Sequence, residues 1–96
     1  MEKTTIQVLK KTLEIKMIAI EAFAYGECMG AELNQWYCKL YTECQKTIEA
    51  ISAEHFYKEL IKEALTSLIE TESNPPLHGG MIDPILKKCL EDLELS

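Results

Sequence analysis

Arginine is absent: the 10 basic residues are all lysines, and they face 16 Asp plus Glu for a net charge of -6. Recognition of phosphate or guanine leans on a cationic surface and on the planar arginine fork. Only Lys10–Lys11 and Lys87–Lys88 are adjacent, so no nucleic-acid partner is expected. Valine occurs once, as Val8, and short-range alternation of apolar and polar residues is rare, which argues against strands. Long apolar runs are missing too. The richest stretch, residues 15–25, carries Lys16 and Glu21 and falls short of the roughly 20 apolar residues of a membrane span. Those two charges and Glu14 also interrupt what would be the apolar part of an export signal. No membrane partner is expected, and a cytoplasmic location follows. There Cys28, Cys38, Cys44 and Cys89 stay reduced. With no C-x-x-C pair among them, we read them as free thiols, mostly small core hydrophobes.

What remains is the material of helices. The chain is 96 residues long, with 47% hydrophobic and 27% charged residues, which suits one globular domain. Leu, Ile, Glu, Lys, Ala and Thr dominate, and apart from Ile and Thr these favour helix. The first helix is expected over residues 5–25, with Ile6, Leu9, Leu13, Met17, Ile20 and Ala24 as its stripe. Beyond Glu14 apolar residues surround the cylinder, as on a helix covered on all sides. Gly26 and Gly30 end or bend it. Ala22, Gly26 and Gly30 also stand four apart, but a turn explains the glycines better than close helix contact does.

The second helix is expected over residues 31–51. Leu33, Trp36, Tyr37, Leu40, Tyr41, Cys44, Ile48 and Ile51 form its apolar face, and Glu32, Gln35, Lys39, Glu43, Lys46 and Glu49 its polar one. Continuing that stripe would need apolar residues near 55 and 58, where His55 and Lys58 stand. The next stripe is Ala53, Tyr57, Leu60, Ala64 and Leu68, flanked by Phe56, Ile61 and Leu65. It points about half a turn away. A tight turn with Ser52 as N-cap resolves the mismatch; one long helix is the alternative. The third helix ends within residues 70–73, before a segment with two prolines and two glycines. The fourth starts with Asp83 as N-cap and Pro84 in the first helical position, and Ile85, Leu86, Cys89, Leu90 and Leu93 are its apolar face. The expected architecture is all-α: an antiparallel helical bundle of three long helices and a short C-terminal fourth. The apolar surface exceeds what one small copy can cover, so a homodimer or a permanent protein partner is expected.

Residues that carry chemistry are few. His55, Glu59 and Glu63 share one helix face, but a di-metal bundle needs a Glu three residues before a His, and neither His55 nor His78 has one. A solvated face with ordinary charge pairs is the plainer reading. Cys38 and Cys44 are six apart and face different ways, which does not make a zinc site. Cys28, beside the turn glycines, is the thiol expected to be most exposed, but nothing near it in sequence lowers its pKa. His78 stands in Pro-Pro-Leu-His-Gly-Gly, a loop candidate because functional residues concentrate on loops held by a rigid scaffold. No cofactor, metal or catalytic residue is expected. Tyr25, Trp36, Tyr37 and Tyr41 cluster around the first helix pair. Each pairs a large ring with a polar handle, as interface residues do, so they are the expected partner-binding residues.

The expected function is therefore that of a small acidic, non-enzymatic protein-interaction module. In size and composition it is like regulators and inhibitors of the immunity, antitoxin or phage kind. The alternative is a small all-helical enzyme or ligand-binding protein acting as a dimer. That alternative has to clamp an anionic substrate with lysine alone.

Overall fold

The computed structural model describes residues 3–26, 31–52, 58–76 and 83–95. Four helices account for nearly all of them: α1 (Lys3–Gly26), α2 (Ala31–Ser52), α3 (Lys58–Ser73) and α4 (Pro84–Leu95). No strand occurs among the described residues. The all-α bundle expected from the periodicity is the fold. The third helix, at 16 residues, is shorter than the 24 of α1 and the 22 of α2.

Each helix contributes three residues to one core: Leu9, Leu13 and Ile20; Leu40, Cys44 and Ile51; Ile61, Leu65 and Leu68; Leu86, Cys89 and Leu93. Burying a leucine or isoleucine stabilises by about 1.5–3 kcal/mol, so this set dominates the fold energy. α1 packs on α2 and α4, and α3 packs on the same two, which makes a ring of four. Neighbours run antiparallel. In α1 and α4, Thr5 meets Asp92 at 3.4 Å and Lys16 meets Asp83 at 3.1 Å. In α2 and α3, Trp36 and Glu43 reach Thr71 and Ser67.

α2 and α3 are separate helices packed on one another, not one long helix. Ser52, expected as the N-cap of the third helix, belongs instead to the second. Ser52 is the last residue of α2, and residues 53–57, with His55, lie outside the described residues. The phase of α3 also needs correction. Its buried row is Ile61, Leu65 and Leu68, whereas Leu60 is 52% exposed. Both rows are apolar. Because α3 is wedged between α2 and α4, the row pointing between those two helices is the buried one, and Leu60 lies about 100° round from it.

α4 starts as its punctuation indicates. The Asp83 carboxylate accepts from Ile85 N–H at 2.9 Å, and its carbonyl accepts from Lys87 N–H at 3.1 Å. The first contact satisfies one of the donors that a helix start leaves open, and the second is the helix's own first backbone bond. Because Asp83 stands beside Lys16, residues 17–26 of α1, about 15 Å of helix, run on past the start of α4. The molecule measures 41 × 24 × 18 Å.

Candidate interaction surface

The aromatic residues are built into the bundle. Trp36, Tyr37 and Tyr41 are half-buried and pack against the core. The Trp36 indole N–H donates to the Thr71 carbonyl at 2.8 Å, and its ring meets Tyr37 edge-on, centroids 4.9 Å apart at 65°. The Tyr41 hydroxyl donates to Glu21 at 2.8 Å, tying α2 to α1. These three rings therefore brace α2 against α3 and α1. The side chain of Tyr25, and all of Cys28 and His78, lie outside the described residues.

A polar layer runs beside the rings. Glu43, expected on the solvated face of α2, is only 8% exposed. Its Oε1 accepts from Thr71 Oγ1 at 3.0 Å and from Ser67 Oγ at 3.2 Å, while Oε2 is buried without a hydrogen-bond partner. The reason lies in α3: Ser67 and Thr71, one turn apart, line the α2–α3 seam and draw the carboxylate inward. At the far side of the layer, Lys16 Nζ lies 3.1 Å from Glu72 and 3.1 Å from Asp83, so one ammonium joins three helices. Burial works against that ammonium, but hydrogen bonds to Asp83 and Glu72 outweigh it and raise its pKa above the ordinary lysine value.

The thiols divide by burial. Cys44 is fully buried, and its pKa is pushed up to about 12, chiefly by desolvation; nearby Lys16 opposes the rise, and Glu72 and Glu43 add to it. Cys89 is raised as well, again by burial first, then by Asp92 and Asp83. Cys38 is exposed. Among the described residues no group of His, Cys, Asp and Glu is placed to hold a metal ion, and no helix is long and apolar enough to cross a membrane.

The apolar surplus lies elsewhere than on the aromatics. On α1, Ile15 is 56% and Ile18 67% exposed. Val8, one heptad before Ile15, is 45% exposed, as is Ile85 of α4. Val8 and Ile85 share a groove of about 430 Å³ between α1 and α4, with Thr5, Pro84, Lys88, Cys89 and Asp92. Ile15 and Ile18 sit where α1 begins to outrun α4. The sequence carried a signal for this face, Val8–Ile15–Ala22 at intervals of seven, on the side away from Leu9–Leu13–Ile20. A shallower depression on α3, about 330 Å³, is edged by Glu59, Lys62, Glu63, Thr66, Ser67 and Glu70. No protein-family model, curated protein or solved structure matches the chain.

Proposed function

We propose that this protein is a non-enzymatic interaction module, a small acidic regulator or inhibitor, that recognises protein through the outer face of α1. The observation that carries this reading is the pair Ile15 and Ile18, at 56% and 67% exposure on the same helix face. Single exposed aliphatics are ordinary. Here Val8 extends the same side of the helix and Ile85 stands across the groove from it, and contiguous apolar surface of this kind marks interaction sites. Tyr25, Trp36, Tyr37 and Tyr41 are the second candidate surface. The weight falls on α1 because Trp36, Tyr37 and Tyr41 have half-buried rings, and the polar handles of Trp36 and Tyr41 are already engaged within the bundle.

The test is affinity capture from the native host with three baits: the natural protein, Ile18→Glu, and Trp36→Ala/Tyr41→Ala. All three are first checked for helicity by circular dichroism. A protein held by the first and third baits and lost from Ile18→Glu supports recognition through α1. Loss only from the aromatic variant moves the site to α2. Equal recovery with all three overturns both surfaces.

A further inference from the structure

We infer that the outer face of α1 is a self-pairing surface: it packs antiparallel on the same face of a second copy, with the crossing between Glu14 and Ile15. This deepens the proposed function and rests on reading that face as protein-binding. The order of charges along α1 points to this pairing. In α1 the lysines Lys3, Lys10 and Lys11 precede the acids Glu14 and Glu21, and the one lysine among the acids, Lys16, is held by Glu72 and Asp83. The first turn has no acid and the last turn no base, so this order does not serve the helix dipole. Lys11 and Glu14 are exposed and form no ion pair among the described residues. A helix with a basic first half and an acidic second half is complementary to itself only when reversed.

The register follows from the spacing. With the crossing between Glu14 and Ile15, Ile15 packs beside the partner's Ile15. Lys11 comes level with the partner's Ile18. Its aliphatic stem covers that exposed side chain, as lysine stems do, and its ammonium stands one turn from the partner's Glu14 on one side and the partner's Glu21 on the other. Two-fold symmetry makes each Lys11 contact twice. The whole of α1 is about 36 Å long and one helix wide, and its outer face broadens toward Ile85, which sets the upper bound of the contact. The area is at most of the order of 400–500 Å² per copy, at the low end for specific interfaces. The dimer is therefore concentration-dependent, with a dissociation constant in the micromolar range.

Sedimentation equilibrium from 1 µM to 1 mM tests this. The natural protein is expected to pass from monomer to dimer. Lys11→Glu and Glu14→Lys should each weaken self-association about tenfold, since every reversal acts twice. Mixed in equal amounts, the two variants should associate more tightly than either does with itself, because the two reversed charges then face each other. Ile18→Glu should stay monomeric with unchanged helicity. A natural protein that is monomeric throughout, a dimer indifferent to Ile18→Glu, or a mixture of the charge variants that fails to associate would overturn the pairing. If the natural protein is monomeric but its capture of another protein still depends on Ile18, the pairing fails and the interaction module stands. If neither self-association nor capture depends on Ile18, both fail.

Discussion

Glu43 and Thr71 meet across the α2–α3 seam at 3.0 Å, and the same Thr71 takes the Trp36 indole N–H on its carbonyl at 2.8 Å. One residue of α3 thus fixes both a buried acid and the largest ring of α2. The acid is the weaker element, because one of its oxygens has donors from two hydroxyls while the other is buried with none. A charge taken out of water and only half satisfied costs stability, and is kept where it specifies how elements meet. Here it ties α2 to α3 at Ser67 and Thr71.

A double-mutant cycle measures this contact. Thr71→Val keeps the shape and removes a donor from a buried carboxylate, so chemical denaturation should show a loss of about 1–2 kcal/mol. Glu43→Met removes the group that needs the donor. In that background Thr71→Val should be nearly neutral, giving a coupling of about 1 kcal/mol or more. Equal losses in both backgrounds would mean that Thr71 matters only through packing.

The sequence and the structure agree where periodicity and punctuation act alone. The bounds of α1 and α2, the core row Leu9–Leu13–Ile20, and the Asp83–Pro84 start of α4 are local properties, set by 3.6-residue spacing and cap chemistry. The row buried by α3 is not local. Leu60 and Ile61 are equally apolar, and the neighbours of α3 decide between them. Glu43 has the same difficulty, since a glutamate next to a core cysteine reads as solvated until Ser67 and Thr71 are brought opposite. The triad brings Lys16 to two acids that lie 56 positions and more along the chain from it, and no spacing signals it. For the surface, the surplus of apolar residues on α1 was visible. That Ile15 and Ile18 would carry it, rather than the aromatics, depends on how short α4 is and where it docks.

The thiols offer a readout of burial. At pH 8, iodoacetamide with mass mapping should modify Cys38 quickly and leave Cys44 and Cys89 protected, because the first is exposed and the other two are buried with raised pKa values. The same shifts fix the sign of the alkaline limit. A thiol whose pKa rises on folding stabilises fully below its unfolded value, and that contribution is lost as pH climbs toward the folded value. For Cys44 the window runs from about pH 9 to about pH 12. Lys16, also raised, acts in the same direction at the upper end. Stability should therefore fall across this window by an amount of the order of 1–4 kcal/mol. Cys44→Ala should be less stable at pH 7 but show a shallower fall; an identical slope would assign the alkaline loss to other groups.

Asp83 combines two roles that substitution can separate. As N-cap it accepts from Ile85 N–H, and as an anion it holds Lys16 at 3.1 Å. Asp83→Asn keeps a capping oxygen and removes the charge. The triad then has one carboxylate on one ammonium, and since the groups are partly exposed the loss should be small, about 0.5–1 kcal/mol. Asp83→Ala removes both roles and should lower stability by about 1–3 kcal/mol, with helicity lost first in α4. High salt distinguishes the two contributions, because it screens ion pairs and leaves neutral capping bonds intact. In 1 M sodium chloride the gap between natural protein and Asp83→Asn should narrow, while the gap between Asp83→Asn and Asp83→Ala should persist. If the second gap also closes, the contact with Lys16, and not the cap, is what sets the start of α4 against α1.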